Sequence, residues 1–323
     1  MSHNLFPAPL VIAPAGKQHT HTFVLLHGKG STAKRFGYEL LNSTNLRKRL
    51  PTVKFIFPAA RQQRATRFRK MPIHQWFKDR SIEHPEETTE AQLEGLSETA
   101  SFLRSLIDEE ARILGKGGYE RIVLWGLGQG CAAGIFTLLG GWPDNCRQRT
   151  IGAFIGMSGW LPHQIQLCGI LRLDNMPTDE PRDRFQDCPL LLNNLEPSQG
   201  EDDTRLKGHA FQHIRNILDL SSVDGKRHAP ENSKQSPVCY RMKTPVFIGH
   251  GSVDQRVPVE HSKGMAQIIS EGLNGDMVWK VYEGLEHSYR ADEIDDILEF
   301  LQARVDLPTR KGTGASSKAR SAM

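Results

Sequence analysis

Two residues of this sequence, Asp254 and His287, have the types and the order of an acid–base pair. Each follows a short run of apolar residues typical of a buried strand. Upstream of both lies a glycine-framed turn, GLGQG (126–130), after another such run. In acyl-transfer enzymes a carboxylate orients a histidine, the histidine takes a proton from a nucleophile at the apex of such a turn, and backbone N–H groups bind the oxyanion. Here the apex is Gly128, which has no side chain to act as the nucleophile.

Three nearby residues are weaker candidates for the missing nucleophile. Cys131 falls in the first turn of an expected helix, where a thiol pKa can be lowered, but the helix directs it away from the apex and a buried cysteine fits better. Ser158 lacks glycine framing on both sides, and Ser31 is explained by turn formation. A water activated by His287 is a further route. Loss of a triad serine lowers turnover by about six orders of magnitude in a serine protease, so we expect this chain to be nearly inert.

A second glycine-containing loop, HGKGS (27–31), follows the first strand-like run. Its glycines allow the backbone to approach a substrate closely and to present N–H groups to an oxyanion. We expect His27 and His250 to hold their loops by hydrogen bonds rather than to act on a substrate.

Strand-like and helical patterns alternate along the chain. The strand-like runs are HTFVLL (21–26), VKFIF (53–57), RIVLW (121–125), IGAFIGM (151–157), PVFIGH (245–250) and MVWKVY (277–282). The clearest helix is expected over 89–114, with a capping box at Thr89 and Gln92 and an end at Gly115. This alternation predicts an α/β fold with a mostly parallel, doubly wound sheet. The candidate residues then meet at the carboxyl ends of its strands.

The pattern predicts one domain over residues 20–307. Residues 1–19 are expected to be a flexible N-terminus and 308–323 a disordered basic tail. A polar stretch at about 163–242 interrupts the domain, and only GHAFQHIRNIL within it has a helical pattern. It has too few apolar residues for a core of its own, so we interpret it as a partly disordered insertion.

The composition is that of an ordinary globular protein, with 38% hydrophobic and 24% charged residues and a net charge of +4. No basic recognition module points to nucleic acid, and no apolar run is long enough to span a membrane. The five cysteines are widely spaced and form no zinc motif. We therefore expect a cytoplasmic protein without cofactor or metal; the oligomeric state stays open.

Seven motifs in the same order give a specific resemblance. They are LLHGKGS, FPAA, MPIHQWF, GLGQGCA, MSGWLP, GHGSVDQRVP and YEGLEHS. In these motifs the chain resembles the phospholipase/carboxylesterase family of α/β-hydrolases, which includes acyl-protein thioesterases, and most of all its fungal members. The resemblance covers about residues 20–307 without the insertion. It implies an α/β-hydrolase fold and the hydrolysis of acyl esters or thioesters, including those of S-acylated proteins, by a Ser-Asp-His triad.

The resemblance also implies roles for individual residues. Asp254 and His287 match the family's acid and base, and the backbone N–H groups of Lys29 and Gln129 match its oxyanion hole. The pair Trp76–Phe77 matches a loop that borders the acyl site.

The chain departs from the family in three places. Gly128 replaces the nucleophilic serine, Lys78 stands where an aspartate is usual, and the loop from Arg61 to Lys70 is unusually basic. Such a loop is consistent with anionic acyl substrates or contact with an anionic membrane, and equally with a solvated loop.

The glycine at the apex leaves two functions open. One is a hydrolase with little or no activity; the other is a non-catalytic relative that binds an acyl ligand or a protein partner. Both a native and an introduced glycine fit the sequence. A dinucleotide-binding G-x-G-x-x-G motif is disfavoured because Cys131 occupies its third glycine position.

Overall fold

A computed structural model describes residues 6–64, 72–78, 90–143, 149–173, 203–220 and 242–307. Seven of its strands form one sheet in the order β1-β3-β2-β6-β7-β8-β9, and β4 and β5 form a separate hairpin. All neighbours in the main sheet are parallel except β1 and β3. The strands are β1 (Leu10–Ile12), β2 (His21–Leu26), β3 (Val53–Phe57), β4 (Gln62–Arg64), β5 (Pro72–His74), β6 (Ile122–Leu127), β7 (Ala153–Met157), β8 (Val246–Gly251) and β9 (Met277–Tyr282).

Helices cover both faces of the main sheet. They are α1 (Ala33–Thr44), α2 (Leu46–Arg49), α3 (Glu90–Leu114), α4 (Gln129–Gly140), α5 (Gln164–Leu171), α6 (Asp203–Ile217), α7 (Val259–Gln267) and α8 (Ala291–Arg304). A 3-10 turn at Tyr119–Arg121 precedes β6, and a π-helical turn at Ile268–Gly272 follows α7.

The central strands are buried on both faces because successive side chains point to opposite sides of the sheet. In β2, Phe23 and Leu25 pack in one core with α1, α2 and α8, while Val24 and Leu26 pack in the other with α3 to α7. The predicted α/β class with a mostly parallel, doubly wound sheet is confirmed.

The long helix α3 begins at Glu90 and ends at Leu114, in agreement with the predicted helix over 89–114. Thr89 of the expected capping box lies outside the described residues. At the other end, Gly115 has a φ of +77° and donates its backbone N–H to the carbonyl of Ala111 at 3.0 Å. A glycine adopts this left-handed conformation without steric penalty, which explains why the helix stops there.

The N-terminal region differs from the expected flexible segment over residues 1–19. Leu10–Ile12 pairs with β3 as antiparallel edge strand β1, and Phe6 is buried with its ring stacked on Phe102 at a centroid distance of 4.2 Å. A three-residue strand is too short for an alternation pattern to reveal it.

The polar stretch at about 163–242 contributes more to the core than its composition suggested. The structure describes 163–173, 203–220 and 242 of it. Helix α5 was not expected, and α6 extends the expected helix. Helix α6 packs on α4, and α5 packs on α6 and on the π-helical turn, with Leu167, Ala210 and Ile214 buried in the shared core. The remainder of the stretch and the tail at 308–323 lie outside the described residues, so the domain boundaries stay predictions.

A buried ion pair connects α3 to the sheet. Glu110 on α3 is almost fully buried; it accepts a hydrogen bond from Thr22 Oγ1 at 3.0 Å and pairs with Lys54 Nζ at 2.6 Å. These partners lie on β2 and β3, so one carboxylate ties the helix to two strands. The neighbouring residue Glu109 instead pairs with Arg112 on the exposed face of α3.

Replacing Glu110 by alanine is expected to lower the free energy of unfolding by about 3 kcal/mol, because Lys54 and Thr22 lose their shared acceptor while staying largely buried. The matched control is Glu109→Ala, which removes a solvent-screened pair and should leave the urea midpoint nearly unchanged. Equal losses in the two variants, measured by urea unfolding, would contradict the assigned role of the Glu110 pair.

Candidate active site

The loops that carry the candidate residues meet at one end of the sheet. They follow β2, β6, β8 and β9, which all run in the same direction. Leu26 pairs with Gly126 at the ends of β2 and β6, so the HGKGS loop and the turn around Gly128 leave the sheet side by side. Parallel strands thus bring together residues that are far apart in the sequence.

The turn between β6 and α4 has the backbone of a nucleophile elbow. Gly128 has φ 56° and ψ −118°, and its N–H donates to the carbonyl of Met157 at 2.9 Å. A Cβ on Gly126 would lie 2.4 Å from the backbone nitrogen of Cys131, and one on Gly130 would lie 2.4 Å from the carbonyl oxygen of Leu26. Both flanking glycines are therefore required by close backbone packing. The turn therefore has the close-packed backbone of an elbow and carries no side chain at its apex.

Asp254 holds His287 in one orientation. Oδ2 of Asp254 lies 2.8 Å from Nδ1 of His287, while Oδ1 accepts backbone hydrogen bonds from Arg256 at 2.9 Å and Val257 at 3.0 Å. An ionised carboxylate can only accept, so Nδ1 of His287 carries the proton and Nε2 presents a lone pair. This tautomer is the one that a general base requires.

The environment keeps Asp254 ionised. Burial favours the neutral acid, but hydrogen bonds from His250, His287 and the backbone of Val257 outweigh it and hold the pKa of Asp254 below its usual range. His250 is fully buried, with Nε2 2.8 Å from the carbonyl of Val257 and 3.4 Å from Oδ2 of Asp254. It therefore braces the acid loop, as the sequence led us to expect.

The imidazole of His287 lies directly against the apex of the elbow. A Cβ built on Gly128 would lie 3.0 Å from Nε2 and 3.2 Å from Cε1 of His287. Both distances are shorter than ordinary van der Waals contact, so the ring occupies space that a side chain at the apex would need. The predicted convergence of Gly128, Asp254 and His287 is observed, and their catalytic roles stay predictions.

Gln129 and Lys29 belong to the two backbone segments that pass the apex, and their role in an oxyanion hole stays a prediction. Gln129 is the first residue of α4, so its N–H has no acceptor within the helix and lies at the positive end of the helix dipole. Lys29 belongs to the loop that passes the elbow: a Cβ on Gly28 would lie 3.5 Å from the carbonyl oxygen of Leu127. In that loop Gly30, with φ 79°, donates its N–H to the carbonyl of His74 at 2.8 Å.

The side chain of Gln129 has a role that the sequence did not reveal. It is buried; Oε1 accepts from the backbone N–H of Trp76 at 2.9 Å, and Nε2 donates to the carbonyl of Phe77 at 2.9 Å. The side-chain amide of Gln129 thus forms one accepting and one donating hydrogen bond with the backbone at Trp76 and Phe77, as a neighbouring strand would. A glutamine beside the apex was visible in GLGQG, but its partner 53 residues away was not.

Trp76 and Phe77 are both fully buried in this structure. The Trp76 indole donates to the carbonyl of His27 at 2.8 Å, and the ring of Phe77 meets Trp160 edge-on at 6.2 Å between centroids. Both side chains therefore pack against loops that surround the elbow. That they border a bound acyl group stays a prediction.

His27 is a neutral structural residue. Its Nε2 accepts from the backbone N–H of Ala60 at 3.1 Å, which leaves Nδ1 to donate to the carbonyl of Gly28 at 2.9 Å. Burial lowers the pKa of His27 to about 4, since no anionic partner compensates for a charge there. The expectation that His27 holds its loop by hydrogen bonds agrees with this geometry.

The three other candidate nucleophiles have structural surroundings. Cys131 is fully buried between Gly156 and Gly159, on which a Cβ would lie 2.6 Å and 2.4 Å from its Sγ, and burial raises the pKa of its thiol. Ser158 is buried at φ 46° and anchors its backbone N–H to the carbonyl of Gly249 at 2.9 Å. Ser31 is partly buried in the HGKGS loop, and its N–H closes a turn to Gly28.

The basic loop from Arg61 to Lys70 is described only through Arg64, on strand β4. Its other residues, with Arg67 among them, lie outside the described residues. Lys78 is described and its side chain is exposed.

In the part of the chain that the structure describes, no group of three or more histidine, cysteine or carboxylate side chains is placed to hold a metal ion. No helix within the described ranges has the length and apolar character needed to cross a membrane.

Comparisons with known proteins, by sequence and by fold, agree with one another. The model of the phospholipase/carboxylesterase family matches residues 8–173 and 213–305. Acyl-protein thioesterase 1 of Yarrowia lipolytica is 26% identical over 303 residues, which cover 93% of this chain and 98% of that protein. The same-named protein of Eremothecium gossypii is 28% identical over 308 residues, covering 93% and 94%. In fold, the chain is similar to the crystal structure of Zea mays acyl-protein thioesterase 2, with a TM-score of 0.57, 18% identity and coverage of 92% and 98%.

The buried state of His27 predicts a pH-dependent stability. Its pKa is about 4 in the folded chain against about 6.5 when unfolded, so protonation favours unfolding. Stability is full above pH 6.5 and should fall by about 3 kcal/mol for this group as the pH drops to 4. In urea unfolding at several pH values, His27→Asn should be less stable at pH 7 but less sensitive to acid. An unchanged pH slope in that variant would contradict the assignment.

Proposed function

This chain belongs to the phospholipase/carboxylesterase family of hydrolases, and we propose that it binds acyl esters or thioesters at the elbow while hydrolysing them only weakly. The arrangement of side chains around the elbow supports this proposal. Asp254 orients His287, Nε2 of His287 faces the apex, and Gln129 opens α4 beside it. The hydroxyl of a nucleophilic serine is what the arrangement lacks.

The substrate class follows from the family and from the relatives. The acyl-protein thioesterase 1 proteins of Yarrowia lipolytica and Eremothecium gossypii align with more than nine-tenths of this chain. Acyl esters and thioesters share a carbonyl whose oxygen becomes anionic during attack, and the proposal assigns the stabilisation of that charge to the N–H groups of Gln129 and Lys29. S-acylated proteins are therefore among the proposed ligands.

The expected weakness has a chemical cause. Without an oxygen at the apex no acyl-serine forms, and in subtilisin removal of the serine lowers turnover by about 2 × 10⁶. The oxyanion hole and substrate binding still leave roughly 10³–10⁴ over the uncatalysed reaction there. We therefore infer a pseudoenzyme-like chain with residual activity. The alternative is a protein that only binds an acyl ligand or a partner. The next experiment distinguishes this binding protein from a weak hydrolase.

Membrane contact and location also stay predictions. The basic loop from Arg61 to Lys70 follows β3 and precedes the Trp76–Phe77 pair, so its charge fits anionic acyl substrates or an anionic membrane surface. The same residues fit a solvated loop. A cytoplasmic location rests on the sequence alone.

Restoring the hydroxyl tests the proposal. Gly128→Ser should raise hydrolysis of short- and medium-chain acyl esters and thioesters by about 10³-fold or more, since it supplies the one group missing from the proposed set of base, acid and oxyanion donors. The imidazole of His287 must move back by a few tenths of an ångström to admit the new Cβ. A non-glycine residue at φ 56° also introduces strain of order 1–3 kcal/mol, so the melting temperature should fall. Turnover of p-nitrophenyl esters and calorimetry measure both effects.

The matched control is Gly128→Ala, which adds the same Cβ and strain without the hydroxyl. It should show the lower melting temperature and none of the gained activity. In the Gly128→Ser background, His287→Ala should abolish both the gain and labelling by a fluorophosphonate. A well-folded Gly128→Ser variant that hydrolyses nothing across a panel of esters would refute the hydrolase proposal and favour the binding protein.

A further inference from the structure

The lone pair of His287 faces a site from which the usual nucleophile is missing. Nδ1 is committed to Asp254 at 2.8 Å, and the described residues provide no hydrogen bond to Nε2. Nε2 lies 3.0 Å from the position of a Cβ at the apex, with no side chain between the ring and Gly128. In a complete triad this nitrogen binds the serine proton; here it directly faces the place where a carbonyl would be attacked.

We propose that Nε2 of His287 is itself the nucleophile of this chain and accepts acyl groups from thioesters and aryl esters. The inference rests on the proposed function, because it uses the same elbow and the same class of ligand. It adds a covalent acyl-histidine intermediate, and with it acyl transfer to small nucleophiles as a further activity. Histidine is among the side chains that form such intermediates in enzymes.

The reaction balances with the groups present. The Nε2 lone pair attacks the carbonyl carbon, and the C=O π pair moves to the oxygen, which the N–H groups of Gln129 and Lys29 can bind. When the C=O bond re-forms, the C–S or C–O bond breaks and the pair leaves with the thiolate or phenolate. Asp254 stabilises the acyl-imidazolium through the proton on Nδ1. Water then adds to the acyl carbon, and the imidazole leaves with the electron pair of the C–N bond. Of the two protons of that water, one stays on the carboxylic acid and the other protonates the thiolate or phenolate.

The class of donor follows from the leaving group. Imidazole is itself a weakly basic leaving group, with a pKa near 6.5 when protonated. The tetrahedral intermediate goes forward when its other substituent leaves readily, as a thiolate does at a thiol pKa of about 8.5. An alkoxide is far more basic, so alkyl esters return to reactants. The chain should therefore distinguish thioesters and aryl esters from alkyl esters more sharply than a serine enzyme does.

The site favours direct attack over a water activated by His287. A general-base mechanism needs a water between Nε2 and the carbonyl carbon, whereas Nε2 itself lies in the space beside the apex. Cys131 cannot compete, because its thiol is fully buried and its pKa is raised by that burial.

Mass spectrometry of the acylated chain tests the proposal. Full-length protein is mixed with p-nitrophenyl acetate, quenched rapidly, and digested. We expect one acetyl group on His287, removable by hydroxylamine, and release of p-nitrophenol that slows about a hundredfold in His287→Ala. The control His209→Ala, on α6, should keep the adduct. Gly128→Ala should lose most of it, because its methyl group occupies the approach to Nε2 while Asp254 and His287 are retained.

Partitioning separates a common intermediate from direct hydrolysis. With an added amine, an acyl-histidine gives one ratio of amide to acid for both an aryl ester and a thioester with the same acyl group. Absence of an adduct on His287, or a ratio that depends on the leaving group, would overturn the inference. If Gly128→Ser is active in that case, the proposed function survives and only the histidine nucleophile is rejected; if Gly128→Ser is also inactive, both fail.

Discussion

The hydrogen bond between Asp254 and His287 decides what this site can do. It links the loop after β8 to the loop after β9 and assigns the Nδ1 proton, so the lone pair of Nε2 points at the elbow. Groups of the same loop and strand hold the carboxylate: two backbone N–H groups donate to Oδ1, and Nε2 of His250 lies 3.4 Å from Oδ2. The acid and base are therefore preorganised although the apex carries no side chain.

The elbow depends on a second constraint, the close packing of backbone on backbone. Gly126 and Gly130 leave no room for a Cβ against α4 and β2, and the side chain of Gln129 ties the turn to Trp76 and Phe77. Glycine at position 128 fits the same left-handed backbone with less strain than a serine would. Glycine at the apex is thus compatible with the packing of the turn, and the imidazole of His287 lies close beside it.

Features that follow from the periodicity of apolar residues and from the order of the motifs could be predicted from the sequence. Strands β2, β3 and β6 to β9, helix α3 and the convergence of Gly128, Asp254 and His287 were all predictable, because buried strands are apolar and parallel strands bring their carboxyl ends together. Strand β1, the β4–β5 hairpin and α5 were not, since such short elements carry little pattern. The Gln129 clamp and the burial of Trp76 and Phe77 depend on tertiary contacts with distant residues. The distance between His287 and the apex likewise required coordinates.

In the chain as it stands, the hydrogen bond to Asp254 is inferred to keep Nε2 of His287 unprotonated and facing the elbow. Nitrogen-15 NMR of the histidine side chains, with His287 assigned through His287→Ala, tests it most directly. At mildly alkaline pH the account predicts a protonated, strongly hydrogen-bonded Nδ1 and an unprotonated Nε2, with that pattern lost in Asp254→Asn. A spectrum in which Nε2 carries the proton, or in which the two tautomers average as in free imidazole, would contradict it.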